Sequence, residues 1–339
     1  MENRTLTKKN VAISFAVIFL LSRILSGISD VIVISRYDGI FEDMTDSAIA
    51  SYYSSALMSV GSFIVNIITI ASIIIAGKKL MGNKIGTIRF LGCYYFGAAF
   101  GGLFSSLVNN VFQYLMRFVI SPTTGSTIIT VSSILCLVPA ILAAYMAFAA
   151  LEGINDKISA QPLNVSLSKA RIAFIITFIV SIVAASGVKS LPNLLLALIN
   201  PEPDTFVSDA LIFSGYLAKW LANVIVFAVV YIAGYRMAKS HYGAISFYIP
   251  ANALSVPVTG IISGISSIIV SFLRYSEQLK IAEAVNDELK LEMMSGNSTV
   301  MTVIAISGTV ISSVVGFIIS YKALSLFYKK KPEVAPIEQ

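Results

Sequence analysis

The chain has 339 residues, of which 56% are hydrophobic and only 12% are charged, and its mean hydropathy is +0.83. Soluble domains carry about 25% charged residues, so this composition excludes a soluble globular protein and predicts a membrane protein. The net charge of +6 comes from basic residues scattered among turns, which argues against nucleic acid as a partner.

The sequence lacks the common metal, redox and nucleotide motifs HExxH, CxxC and GxxxxGK[ST]. Both cysteines, Cys93 and Cys136, fall inside apolar runs and are interpreted as buried hydrophobic residues. We therefore predict no metal, no cofactor and no enzymatic activity. An intramembrane serine enzyme is a weak alternative, because its base would have to be His241, which lies in a predicted turn.

Eight apolar stretches are long enough for membrane helices, which need roughly 20 residues each. They cover about residues 11–34, 48–76, 90–117, 128–150, 172–200, 211–233, 245–274 and 299–326. The first is longer than the core of a signal peptide and contains two charged residues, so we predict a retained helix. Pro139 predicts a kink near the middle of the fourth, and Pro250 with Pro257 predicts a bend in the seventh.

A hairpin sequence occurs twice. Residues 75–90, IAGKKLMGNKIGTIRF, return as residues 232–247, IAGYRMAKSHYGAISF, and the 157-residue offset holds without a gap from Asn66/Asn223 to Arg117/Arg274. We predict an all-α polytopic membrane protein of about eight transmembrane helices in two parallel four-helix repeats. The repeats are residues 11–150 and 172–328, with a connector at 151–171 and a basic tail at 329–339.

The basic residues predict the orientation. With both termini inside, the cytoplasmic turns hold 16 Lys and Arg and the outer turns hold 6. Because positive charge concentrates on the cytoplasmic side, we predict a multi-pass protein of the cell membrane with both termini in the cytoplasm.

Polar residues inside apolar helices are candidates for function, because intramembrane charges usually face a bundle interior or a water-filled cavity. In the first helix Arg23 and Asp30 each need a partner, and Lys219 is a candidate for Asp30. A structural ion pair is the alternative.

Two symmetric pairs add to these candidates. Asn66 and Asn223 lie near the predicted midplane, where hydrogen bonding between helices is the more common role. Arg117 and Arg274 end the third and seventh helices. They either flank an outer vestibule that attracts an anion or extend their guanidinium groups to the lipid headgroups.

These residues favour a transporter or permease that moves a small solute or lipid-like molecule, with an anion among the candidates, along a path between the two halves. The lipid bilayer is the predicted partner, with a separate energising subunit in a permease complex. The alternative is a non-catalytic structural or assembly subunit of a larger membrane complex. Its contact would be residues 275–294, where apolar residues recur every four positions as in an amphipathic helix.

Overall fold

The computed structural model describes residues 8–41, 47–118, 134–152, 165–199, 206–283 and 287–328, and within them the regular structure is entirely helical. The helices are α1 (Lys8–Phe41), α2 (Ser47–Met81), α3 (Lys84–Phe118), α4 (Leu137–Leu151), α5 (Leu167–Ile199), α6 (Phe206–Ala238), α7 (His241–Tyr248), a π-helical turn (Ile249–Ala253), α8 (Val256–Glu283) and α9 (Asp287–Phe327).

Seven spans of the described chain are long and apolar enough to cross a membrane. They are Lys8–Val33, Tyr52–Met81, Lys84–Val111, Leu167–Pro192, Phe213–Ala238, His241–Lys280 and Val300–Phe327. These spans confirm the all-α, multi-pass membrane architecture and seven of the eight predicted membrane helices, with α7 and α8 sharing one span. Contact with the lipid bilayer follows from them.

The fourth predicted helix differs from expectation. Over the described residues α4 has 15 residues, too few to cross a bilayer alone, and residues 128–133 of the prediction lie outside the described chain. Pro139 lies in the first turn of α4, and the backbone makes a turn at Cys136 just before it. A proline ring clashes with the carbonyl four residues earlier, so the interruption comes before Pro139 and not at mid-helix.

The bend predicted in the seventh helix is confirmed as a break. Between α7 and α8 the backbone forms a π-helical turn that contains Pro250, and the N–H of Leu254 donates to the carbonyl of Ile249 at 3.0 Å. Such turns appear where an α-helix is locally interrupted. The corresponding part of α3, 157 residues earlier, has no proline and continues as one helix.

The two hairpins of the repeated sequence close with the same backbone turn. Gly82 has φ +66° and Lys239 has φ +54°, and these are the only left-handed residues in the described chain. The N–H of Gly82 donates to the carbonyl of Lys78 at 3.0 Å, and the N–H of Lys239 donates to that of Tyr235 at 2.6 Å. The two donor residues are 157 positions apart in the sequence, and so are the two acceptor residues.

The helix that follows each hairpin is capped in the same way. The Asn83 side chain accepts a hydrogen bond from the N–H of Gly86 at 2.6 Å, and the Ser240 hydroxyl accepts one from the N–H of Gly243 at 3.1 Å. Asn and Ser are preferred caps because their side chains satisfy a free N–H in the first turn. The repeated sequence thus has a repeated local structure.

The left-handed positions give a paired prediction. A side chain in this conformation costs roughly 1–2 kcal/mol, so Gly82→Ala is expected to lower the free energy of unfolding by about 1 kcal/mol. Lys239→Gly is expected to change it in the opposite direction, by up to about 1 kcal/mol. Unfolding of the purified protein in detergent measures both, and a loss of stability in Lys239→Gly would contradict the explanation.

The described chain divides into two compact units. Unit 1 comprises Met1–Phe15, Gly77–Leu254 and Ser320–Gln339, and unit 2 comprises Ala16–Ala76 and Ser255–Ile319. Each unit therefore takes segments from both halves of the sequence.

Unit 1 is held by aromatic and close backbone packing. The rings of Phe15, Phe90 and Phe148 are fully buried, with the first two stacked at 4.4 Å between centroids. α3 approaches α4 so closely that a Cβ on Gly97 would overlap the carbonyl of Ala140. Small residues commonly allow such close approach between membrane helices.

In unit 2, α8 packs against α9 through small and hydroxylated residues. The hydroxyls of Ser263 and Ser312 lie 3.1 Å apart, and Ser312 also donates to the carbonyl of Thr259 at 3.2 Å. Gly308 and Gly316, one turn either side of Ser312, leave room for side chains of the neighbouring segment, since an added Cβ would overlap Ser266 or lie 3.0 Å from the Thr259 methyl. The adjacent face of α8, about 100° further round the helix, meets α2 through Gly260, Gly264 and Ser271.

Candidate functional site: a polar groove between α2 and α8

A groove of about 490 Å³ runs between α2 and α8 within unit 2. The α2 side carries polar residues at a four-three-four spacing, which places them on one helix face. The α8 side is formed by small residues with similar spacing. The lining residues are Ser55, Met58, Ser59, Ser62, Phe63, Asn66, Gly260, Gly264 and Ser267.

Two glycines of α8, Gly260 and Gly264, leave room for side chains of α2. A Cβ on Gly264 would lie 2.7 Å from the Phe63 ring, and one on Gly260 would lie 3.1 Å from the amide nitrogen of Asn66. Beyond Ser267, the hydroxyls of Ser59 and Ser271 lie 3.1 Å apart and join the two helices.

The groove is polar but uncharged among its described lining residues, with four serine hydroxyls and the Asn66 carboxamide. Hydroxyl and carboxamide groups both donate and accept hydrogen bonds. Such a surface can replace the hydration of a polar solute in an otherwise apolar helix layer, as a transport path requires.

A second cavity of about 430 Å³, also in unit 2, carries the charges that the groove lacks. Arg274 and Glu277 from α8 line it together with Tyr52 from α2 and polar and apolar residues of α8 and α9. The remaining lining residues are Val270, Gln278, Met301, Thr302, Ala305 and Ile306.

The two cavities follow one another along the same two helices. On α2 Tyr52 precedes Ser55 by three residues, and on α8 Val270 follows Ser267 by three. At 1.5 Å per residue, the polar positions from Tyr52 to Asn66 extend over about 21 Å of α2. That length is about two thirds of a bilayer core of about 30 Å.

The positions 157 residues from the groove lie on α3 and α6, which contact each other in unit 1. Tyr216 and Trp220 stand at the positions that correspond to Ser59 and Phe63. The Trp220 indole donates to the carbonyl of Leu103 at 2.9 Å, and the Asn110 amide donates to that of Tyr216 at 3.2 Å. Tyr216 and Trp220 are larger than Ser59 and Phe63, and Leu103 stands at the position that corresponds to Gly260.

Two of the residues predicted from sequence line these cavities. Asn66 lies in the groove, and Arg274 lies in the second cavity. Lys219 is exposed on α6 with its ammonium 5.9 Å from the centre of the Tyr216 ring, and Asn223 is exposed on the same helix.

The other three candidates are not brought into a described site. Arg23 is exposed on α1, and no ion-pair partner for it occurs among the described residues, so its interior partner stays a prediction. The side chains of Asp30 and Arg117 lie outside what the structure describes, as do those of residues 281–294 in the predicted amphipathic segment.

Sequence reasoning missed the serines of the groove and one ion pair. Arg89 of α3 donates to Glu152, just after α4, at 3.0 Å. A four-three-four spacing of polar residues indicates a polar helix face, and it occurs at Ser55, Ser59, Ser62 and Asn66. Serine is common in membrane helices, however, so its presence alone does not indicate a functional site.

The fold and these cavities define a multi-pass α-helical membrane protein with two polar cavities inside one of its units. Neither a family model, nor a curated protein, nor a solved structure matches the chain.

Proposed function

We propose that the protein is a transporter or permease that moves a small polar solute, or a lipid-like molecule with a polar head, along the groove between α2 and α8. The observation that carries the proposal is the succession of two polar cavities along membrane-length helices. Membrane helices that only pack together exclude such space, because unpaired polar groups in lipid are costly.

The predicted repeat is part of this proposal. The equal hairpins at Gly82 and Lys239 support an origin of residues 11–150 and 172–328 by duplication. Many transporters are built from such repeats and bind their cargo near the bilayer midplane. The cell membrane location, with both termini cytoplasmic, is proposed on the distribution of basic residues alone.

Access of water to the groove tests the proposal without knowledge of the cargo. Single cysteines replace Ser55, Ser59, Ser62 and Asn66 in a background in which Cys93 and Cys136 are alanine. We expect a charged, membrane-impermeant thiol reagent to label them in intact cells or vesicles, because only a hydrated thiol ionises and reacts readily.

Matched controls come from the same helix. Ile64 and Ile67 are exposed on α2 but do not line the groove, so cysteines there should face lipid and react only with a membrane-permeant reagent. If the groove positions reacted no faster than these controls, the groove would be dry. That result would overturn the transport proposal and favour the assembly subunit.

A further inference from the structure

The second cavity of unit 2 holds two opposite charges that make no direct ion pair with each other, although Arg274 acts on the Glu277 carboxylate at longer range. Arg274 and Glu277 both line it from α8, yet the only ion pair among the described residues is the one between Arg89 and Glu152. The two charged residues are three positions apart and therefore lie on one face of the helix. They belong to the last turns of the candidate span His241–Lys280.

Their burial differs in a way that bears on the ligand. Glu277 is 7% exposed, whereas Arg274 is exposed. A shielded carboxylate that is compensated only by a more distant guanidinium favours a second cation beside it. The guanidinium presents planar donors that match a carboxylate or a phosphate.

We propose that this cavity binds a small zwitterion, a molecule with an ammonium group and a carboxylate or phosphate group. The ammonium would contact Glu277 and the face of the Tyr52 ring, which attracts cations. The anionic group would contact Arg274. An anion alone would leave Glu277 without a directly contacting cation, and a cation alone would leave Arg274 without a directly contacting anion.

This inference rests on the proposed function for one point only, which is that the bound zwitterion is the cargo that then enters the groove. The chemistry fits two sources, a free solute or the headgroup of a zwitterionic lipid. The volume of about 430 Å³ accommodates either a small metabolite or a headgroup.

Binding to the purified protein tests the site. Phosphoethanolamine serves as the zwitterion, inorganic phosphate as the anion alone and ethanolamine as the cation alone. We expect phosphoethanolamine to bind more than about tenfold more tightly than either single-charge probe, because it makes both charge-assisted contacts. Phosphate that bound as tightly as phosphoethanolamine, or the absence of zwitterion binding, would overturn the proposal.

Variants locate the binding at these two residues. Arg274→Gln and Glu277→Gln are each expected to weaken phosphoethanolamine binding more than about tenfold. Lys280→Gln is the matched control, since this lysine is exposed near the same end of α8 and does not line the cavity. If Glu277→Gln does not fold, Glu277→Asp keeps the charge and should retain part of the binding. Wild-type binding in a folded Glu277→Gln protein would contradict the zwitterion and leave a simple anion site.

Competition distinguishes the two sources. If nanodiscs that contain phosphatidylethanolamine reduce phosphoethanolamine binding relative to phosphatidylglycerol nanodiscs, the site takes a lipid headgroup; if they do not, it takes a free solute. Binding that persists while the groove cysteines stay unlabelled would retain this site and remove the transport proposal. Labelled cysteines without zwitterion binding would retain the transport proposal and remove the zwitterion site.

Discussion

Gly97→Ala is expected to lower the free energy of unfolding by about 3 kcal/mol, the upper end of the cost of overpacking. A Cβ at this position would overlap the carbonyl of Ala140, and it would lie 2.6 Å from the Cβ and 2.9 Å from the backbone nitrogen of Ala144. Two of these three atoms belong to the backbone of α4, so no side-chain rotation relieves the contact, and α3 and α4 must separate.

The control lies five residues further along the same helix. Nothing lies within 4 Å of a Cβ added to Gly102, and alanine has a higher helix propensity than glycine, so Gly102→Ala is expected to stabilise by up to about 1 kcal/mol. Thermal unfolding in detergent, followed by tryptophan fluorescence or by loss of the monodisperse peak, measures both variants. Equal changes in the two would show that close contact between α3 and α4 does not hold unit 1 together.

Much of the helical layout could be predicted because the bilayer sets the length of an apolar run and proline interrupts a helix locally. The break at Pro250 and the hairpins at Gly82 and Lys239 follow from residues that lie at those positions. Helix ends were harder to place. The predicted end of α1 was near residue 34, because residues 35–41 are more polar than the membrane run before them. The helix continues to Phe41, since no proline interrupts it there.

The groove could not be predicted, because it depends on which helices meet. Ser59 and Ser271 are 212 residues apart, and no local pattern shows that their helices are neighbours. Charged residues were the natural candidates from sequence, since they are costly in lipid, and Arg274 does line a cavity. The serines of α2 line a groove only because Gly260 and Gly264 of α8 lie across from them.

Closing the groove is expected to have the largest effect on function. In unit 1 the positions equivalent to Ser59 and Phe63 hold the larger residues Tyr216 and Trp220, and both are hydrogen-bonded to α3. The double replacement Ser59→Tyr with Phe63→Trp should fill the groove of unit 2 in the same way. The larger rings would occupy groove space that Ser59 and Phe63 share with Asn66. We therefore expect a cysteine at position 66 to lose more than about 90% of its labelling by the impermeant reagent, which corresponds to a tenfold change in access.

The same variant separates the groove from the zwitterion site. Neither Ser59 nor Phe63 lines the cavity around Arg274, so phosphoethanolamine binding should persist while flux of the cargo falls by at least about tenfold, since the path beyond the site is blocked. Ile64→Trp is the matched control, because it adds a similar ring to an exposed position of α2 outside the groove. It should leave both labelling at position 66 and flux unchanged. If the double replacement folded and left flux at the wild-type level, the cargo would not pass between α2 and α8, and the path would have to be sought elsewhere in the protein.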